Sequence, residues 1–157
     1  MGKEAQFDTL NGGDIKVGIV AARWNEKYTY SLVEGCRESI MECGVKAENI
    51  TGLFVPGAYE VPLGAKHLLD TTNVDVVIAV GCLIKGATMH FEYICESVSS
   101  GIMRLNLDYG KPVIFGVLTC LDEAQAEVRS IGEHNHGNGW GKTAVEMALL
   151  VQKKLAM

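Results

Sequence analysis

The chain has 157 residues, of which 48% are hydrophobic and 21% charged, a composition typical of one globular domain with a sizeable core. Its formal charge of −5 argues against a broad surface for nucleic acid or anionic membrane, although a small phosphorylated ligand needs only a local cluster of cations. We expect no membrane span and no secretory signal, because the apolar runs are too short and the first residues lack an apolar core.

The first third of the chain predicts an N-terminal arm, a strand and a helix. The arm covers residues 1–13, and a single domain covers residues 14–157. Ile15–Ala22 is a continuous apolar run, typical of a strand buried on both faces. Asn25 can cap a helix that ends at Gly44, with an inner face of Leu32, Val33, Cys36 and Ile40.

A second strand and helix follow. Ile50–Val55 predicts the strand, which Pro56-Gly57 ends. Pro62 suits the first turn of the next helix, whose inner face consists of Ala65, Leu68 and Leu69.

The stretch from Val74 onward is the most informative part of the chain. It begins as a β-branched apolar run, breaks at Lys85–Thr88, and continues as a helix pattern with a stripe of Phe91, Ile94, Cys95, Val98, Ile102 and Leu105. Small residues, a hydroxyl that could cap the helix, a lysine and then His90 lie at the junction. The free N–H groups and positive dipole of a helix N-terminus favour an anion, so this junction predicts a phosphate site.

The last third predicts one more strand and two helices. Gly110 and Pro112 precede a strand over Val113–Thr119, and Asp122–Gln125 resembles a capping box for a short helix. A last helix has an inner face of Ala144, Ala148, Val151 and Leu155, with Lys153 and Lys154 near its negative end.

This alternation predicts an α/β fold in which a four-stranded parallel sheet has helices on both faces. Ligands of such folds bind beyond the carboxyl ends of the strands. Unusual residues follow three of the predicted strands, namely Arg23–Asn25, Pro56–Glu60 and Lys85–His90. We therefore expect one site at that edge of the sheet.

The cysteines, a glycine-rich stretch and two histidines argue against three other kinds of site: disulfides, a P-loop and a metal site. Five cysteines without a Cys-x-x-Cys pair favour reduced thiols and a cytoplasmic protein. Gly137–Thr143 resembles a P-loop, but its spacing is one residue short and no buried strand precedes it. His134 and His136 could be half of a metal site, yet no nearby cysteine or acidic pattern completes it, so we give this metal site little weight.

Taken together, the motifs resemble those of lumazine synthases, and they look more fungal than bacterial. They run in order over most of the chain: Arg23–Asn25, Val55–Glu60, Gly81–Tyr93, Pro112–Thr119, and His134–Gly137 before Trp140-Gly141. The third is long and specific.

The resemblance implies a flavodoxin-like fold and a reaction in riboflavin biosynthesis that needs no cofactor. In it, 5-amino-6-ribitylaminouracil condenses with 3,4-dihydroxy-2-butanone 4-phosphate to give 6,7-dimethyl-8-ribityllumazine, phosphate and water. It also implies a homo-oligomer, either a pentamer or a 60-subunit shell of pentamers, with active sites between neighbouring subunits.

The resemblance further implies roles for individual residues. His90 would be the catalytic acid and base, and Trp24 would stack on the pyrimidine. Glu60 would accept hydrogen bonds from the ribityl chain, and Phe115 would flank the ring from the neighbouring subunit. The remaining residues expected to bind the pyrimidine or ribityl group are Asn25, Gly57, Ala58, Tyr59, Cys82, Leu83, Ile84 and His136.

Arg129 would bind the substrate phosphate, together with Lys85 and the backbone N–H groups of Gly86, Ala87 and Thr88. This chain departs from the family here. Relatives carry Ala-x-Arg-Ala-Gly where this chain has Glu127–Ile131, and the segment from Arg129 to His134 is shorter than in fungal members.

Structural interpretations compete with each assignment. A histidine can simply be tolerated in a first helical turn, a glutamate there can serve the helix dipole, and an arginine on a short helix can be solvated. At the level of the whole protein, the alternatives are a non-catalytic flavin- or lumazine-binding protein and a structural shell protein.

Overall fold

The structure is a computed structural model that describes residues 5–152. Strands and helices alternate along this part of the chain: β1 (Val17–Ala22), α1 (Glu26–Glu42), β2 (Ile50–Val55), α2 (Val61–Thr71), β3 (Val76–Ile84), α3 (His90–Tyr109), β4 (Val113–Cys120), α4 (Glu123–Ser130) and α5 (Gly137–Val151). Short 3-10 helices cover Ala47–Asn49, Ala58–Glu60 and Gly132–His134.

The four strands form one parallel sheet in the order β2-β1-β3-β4. Helices α1, α4 and α5 cover one face of the sheet, and α2 and α3 cover the other. All of β1 and most of β3 are buried, which explains why both read as unbroken β-branched runs. The predicted α/β, flavodoxin-like arrangement is confirmed.

The predicted helix ends are largely confirmed. Gly44 and Gly110 follow α1 and α3 with φ of +94° and +62°, a backbone conformation that favours glycine. The Oδ1 atom of Asp122 accepts the amide of Gln125 at 2.9 Å, and the Gln125 side chain in turn accepts the amide of Leu121. This reciprocal arrangement starts α4 directly after β4.

Two strands begin later than predicted. The strand expected from Ile15 starts at Val17, and the strand expected from Val74 starts at Val76. Lys16 and Asp75 form a local pair just before the regular register, since the amide of Lys16 donates to the Asp75 carboxylate at 2.8 Å. Regular pairing then begins with Val17 opposite Val76.

Two predictions about helix residues are wrong. Asn25 is at the N-cap position of α1, but its side chain makes no capping hydrogen bond, because its left-handed backbone (φ 62°) directs the amide towards β3. Val151 is the last residue of α5 and is exposed rather than part of the inner face. Lys153, Lys154 and Leu155 lie outside the described residues.

The N-terminal arm packs on the domain through Leu10, and the cysteines are not paired. Residues 5–13 of the arm have no regular secondary structure, although Leu10 is buried in the core cluster below α1 and α5. The five cysteines all lie in the described part and are free thiols, as predicted. Between residues 5 and 152, no helix has the length and apolarity needed to cross a bilayer.

Candidate active site

The three unusual segments meet at the carboxyl edge of the sheet. Parallel pairing continues past the ends of β1 and β2, since the amide of Arg23 donates to the carbonyl of Val55 at 2.8 Å and that of Trp24 to Pro56 at 3.0 Å. The amide of Lys85 likewise donates to the carbonyl of Cys120 at 2.9 Å. Backbone bonds therefore fix the start of each segment.

Trp24 lies beyond the buried part of β1, and its side chain is 74% exposed. Asn25 follows it, and the Asn25 side-chain amide donates to the carbonyl of Cys82 at 2.8 Å. An indole in water costs free energy unless something covers it, so this ring is available to stack on a flat ligand.

The segment after β2 forms one tight turn. The amide of Gly57 donates to Oε2 of Glu60 at 3.1 Å, so the carboxylate closes the 3-10 turn that precedes α2. Ala58 is buried beneath it, whereas Tyr59 and Glu60 are exposed. Glu60 thus has a structural role in closing this turn, and its exposed position also leaves it accessible to a ligand.

At the end of β3, Cys82 is buried in the core, whereas Leu83 and Ile84 are partly exposed. Burial, together with the nearby Cys120, raises the pKa of the Cys82 thiol to about 12, so Cys82 is an uncharged thiol at neutral pH. Its carbonyl, bound by Asn25, supports the site instead. Leu83 and Ile84 are half-buried and pack against the core clusters on opposite faces of the sheet.

Every residue of the loop from Lys85 to His90 is exposed. A Cβ built on Gly86 would meet no atom within 4 Å, so this stretch of backbone is open to a ligand. The hydroxyl of Thr88 accepts the amide of His90 at 3.4 Å, and His90 is the first residue of α3. An imidazole and the helix N-terminus therefore lie side by side, as the sequence predicts.

Lys85 is engaged by a residue that the sequence analysis did not single out. Its ammonium forms an ion pair with the carboxylate of Glu92, seven positions along the chain in the first turn of α3. The hydrogen bond from Lys85, helped by the Glu92 backbone amide, lowers the pKa of this carboxyl. An acid at this place serves the helix dipole in any case, so nothing in the sequence marked it as a partner of Lys85.

Arg129 lies in the last turn of α4, half-buried, with Nη1 donating to the carbonyl of Gln125 at 3.0 Å. Side chains of α1 hold this helix in place. Lys27 pairs with Glu127 at 2.9 Å, and the buried Tyr28 donates to Glu123 at 2.8 Å. Burial, reinforced by this contact with Glu123, raises the pKa of Tyr28 to about 12, so the hydroxyl remains a donor at neutral pH.

His136 is the residue just before α5, and its amide donates to the carbonyl of Arg129 at 2.9 Å. Its ring packs edge-on against Trp140, with centroids 6.1 Å apart. His136 and Arg129 are therefore adjacent in space as well as both predicted to bind substrate. No cluster of three or more potential metal ligands occurs within residues 5–152.

Phe115 does not lie at the edge with His90. It lies within β4, opposite Ala79, with its side chain 43% exposed. The ring faces an open groove of about 430 Å³ between α3 and β4, whose other lining residues are Phe91, Glu92, Cys95, Glu96, Ser99 and Thr119. An exposed aromatic at this flank is suited to covering a site on a neighbouring molecule.

Comparison with known proteins gives consistent matches over nearly the whole chain. A family model described as 6,7-dimethyl-8-ribityllumazine synthase matches residues 14–152. A fungal protein of that name from Schizosaccharomyces pombe is 50% identical, covering 89% of this chain and 90% of the relative. The proteins of that name from Pyricularia oryzae (41% identical, 88% and 89% covered) and Porphyromonas gingivalis (44%, 87% and 86%) are also similar.

Proposed function

Because the chain belongs to the 6,7-dimethyl-8-ribityllumazine synthase family, it is a transferase of riboflavin biosynthesis, and we propose that the carboxyl edge of its sheet is where the reaction occurs. The reaction condenses 5-amino-6-ribitylaminouracil with 3,4-dihydroxy-2-butanone 4-phosphate. The observation that carries the proposal is the exposed His90 at the N-terminus of α3, beside the open backbone of Gly86.

His90 moves protons in this proposal. The amine of the pyrimidine attacks the ketone of the butanone and forms an imine with loss of water. Phosphate then leaves from the terminal carbon, and the carbon that carried the free hydroxyl becomes a ketone. The second nitrogen adds to this ketone, and a second water is lost as the ring closes. Each of these steps needs a proton removed at one atom and delivered at another, and a histidine is suited to both near neutral pH.

The phosphate lies at the N-terminal end of α3 in this proposal, where free amides and the helix dipole favour an anion. The amides of Gly86, Ala87 and Thr88 bind it, with Lys85 contributing charge. Arg129 completes the phosphate site, since a guanidinium presents two donors to phosphate oxygens.

The pyrimidine stacks on the exposed ring of Trp24, and Glu60 accepts hydrogen bonds from the ribityl hydroxyls. The backbone of the 3-10 turn and the rim of β3 form the rest of the slot. The residues assigned to it are Asn25, Gly57, Ala58, Tyr59, Cys82, Leu83, Ile84, Phe115 and His136.

The site is shared between subunits of a homo-oligomer, which we propose to be a pentamer. Two observations support sharing: Phe115 faces a flank of the molecule, and Arg129 donates back to its own helix rather than to the loop at His90. Helix α3 also exposes an apolar stripe of Tyr93, Met103 and Leu107 that suits packing between subunits. Such pentamers could assemble further into a 60-subunit shell, and we propose a cytoplasmic location.

The test is to mix the purified protein with both substrates and to follow the absorbance and fluorescence of the lumazine product. We expect product only when both substrates are present, at a rate above the spontaneous reaction. A protein that only bound lumazine or flavin would change its tryptophan fluorescence with riboflavin but would form no product. That outcome would contradict the proposed site chemistry.

A further inference from the structure

The ion pair of Lys85 and Glu92 spans the loop on which the proposed phosphate site lies. Lys85 comes directly before the loop and Glu92 lies in the first turn of the helix after it. The two side chains are 43% and 33% exposed, so the pair is partly accessible to water. The pair therefore joins the two ends of the loop.

The carboxylate of Glu92 is held asymmetrically. One oxygen accepts from Lys85, whereas the other is buried and has no hydrogen-bond partner within residues 5–152. The ammonium of Lys85 is thus the main group that holds this carboxylate in place. Anything that draws Lys85 away leaves a charged carboxylate with a poorly satisfied environment.

A phosphate in the loop would compete for the same ammonium. Lys85 directly precedes the three residues whose amides are proposed to bind phosphate, and a lysine has one charge to share between two anions. In contrast, among residues 5–152 the guanidinium of Arg129 bonds only a neutral carbonyl within its own helix. Lys85 is accordingly the cation of the proposed phosphate site that already has an anionic partner.

We propose that Glu92 is a positioning residue that competes with phosphate for Lys85, and thereby weakens the retention of inorganic phosphate after the reaction. The inference rests on the proposed function, because it assumes that the loop at Gly86 binds phosphate. Ion pairs with this degree of exposure change an equilibrium by a factor of about 5 or less, so Glu92 adjusts phosphate affinity and does not abolish it.

The experiment measures the binding of inorganic phosphate in E92Q. Glutamine keeps the shape of the side chain and removes the charge that competes for Lys85. We expect the inhibition constant of inorganic phosphate against the butanone phosphate to fall by about two- to fivefold. The constant for a ribityl-pyrimidine analogue should stay the same, because that ligand has no phosphate.

The matched control is E34Q, which removes the same charge from an exposed ion pair with Arg37 on α1. It should leave the phosphate constant unchanged, since α1 covers the opposite face of the sheet from α3. A fall in both variants would mean that net charge alone is responsible, and it would overturn the proposal.

A double-mutant cycle tests whether Glu92 acts through Lys85. K85Q should weaken phosphate binding, and E92Q should have no further effect in the K85Q background. Equal effects of E92Q in both backgrounds would show direct repulsion of phosphate and contradict the competition. An unchanged or raised phosphate constant in E92Q would do so as well.

Calorimetric titration with inorganic phosphate separates this inference from the proposed function, because it needs no turnover. If the protein makes lumazine but E92Q binds phosphate like the parent, only the inference fails. If phosphate binds and responds to E92Q but no lumazine forms, only the proposed function fails.

Discussion

The side-chain amide of Asn25 donates a 2.8 Å hydrogen bond to the backbone carbonyl of Cys82, which joins the start of α1 to the end of β3. Asn25 has the left-handed backbone that side chains other than asparagine, aspartate and glycine adopt at a cost. Trp24 directly precedes it, so the same contact helps to set the direction of the exposed indole. The polar side chain at this N-cap therefore organises the site instead of the helix.

Substitutions at Asn25 separate its backbone role from its hydrogen bond. Asn25→Gly keeps the backbone conformation and loses the bond, whereas Asn25→Ala loses both. We expect Asn25→Ala to be less stable than Asn25→Gly by about 1 kcal/mol, as measured by urea unfolding. Both variants should bind riboflavin more weakly than the parent. Equal stability of the two would show that the left-handed conformation is not costly here.

His90→Ala should reduce turnover by roughly 10² to 10⁴, the usual contribution of a positioned acid or base. Folding should change little, because His90 is exposed in the first turn of α3. The spontaneous reaction must be subtracted from the measured rate. His67→Ala is the control, since His67 is an exposed histidine on α2, away from the site. A well-folded His90→Ala protein with parental turnover would rule out the assignment.

Sequence patterns were sufficient for the architecture because burial determines it. The unbroken apolar runs of β1 and β3 come from strands covered on both faces, and the glycines after α1 and α3 have the positive φ expected of them. The starts of the strands were less predictable, since they depend on the pair of Lys16 and Asp75. These residues are 59 positions apart, and no local pattern announces their contact.

In the candidate site too, the positions of the residues were predictable from the sequence, but their contact partners were not. Trp24, Gly57 and His90 lie in the segments that follow β1, β2 and β3, which the sequence pattern predicts. The hydrogen-bond and ion-pair partners at this edge were not predictable. Asn25 and Cys82 are 57 positions apart in the sequence. Glu92, the partner of Lys85, is an acid in the first turn of a helix, where acids are common for another reason. The proposed role of Phe115 concerns a second molecule, so the structure of one chain provides only the exposure of its ring.

The fluorescence of Trp24 should be quenched by riboflavin or by the lumazine product if the indole stacks on the ring. The chain has two tryptophans, and Trp140 is half-buried beside Gly116, so a Trp140→Phe background isolates the signal. Trp24→Ala should weaken binding by about 0.5–1.5 kcal/mol from lost ring geometry, plus the contribution of lost area. Trp24→Phe should recover part of this. Unchanged binding in Trp24→Ala would contradict stacking.

Arg129→Ala should raise the KM for the butanone phosphate and leave the affinity for a ribityl-pyrimidine analogue nearly unchanged. The reason is that a guanidinium matches phosphate oxygens in geometry and charge, whereas the pyrimidine has no group that needs it. Arg129→Lys should recover only part of the loss, because it keeps the charge without the paired donors. Arg37→Ala, at a partly exposed position of α1, is the control. Equal losses for both substrates would indicate that Arg129 merely stabilises α4.

Sharing of the site predicts that two inactive variants restore each other. In a cyclic assembly one head-to-tail interface is repeated, so each site would take His90 from one subunit and Arg129 from its neighbour. His90→Ala and Arg129→Ala are unfolded together in equal amounts and reassembled. With random mixing, an interface receives both intact residues in about a quarter of cases, so about a quarter of the parental activity should return.

The controls decide what a failure means. Each variant reassembled alone must stay nearly inactive, and mass spectrometry must detect assemblies that contain both. Native mass spectrometry of the parent also gives the subunit number, for which we expect five or a multiple of five. If mixed assemblies form without any recovery, His90 and Arg129 serve the same subunit's site. The exposed Phe115 and the groove beside it would then need another explanation, and the shared-site proposal would be wrong for this protein.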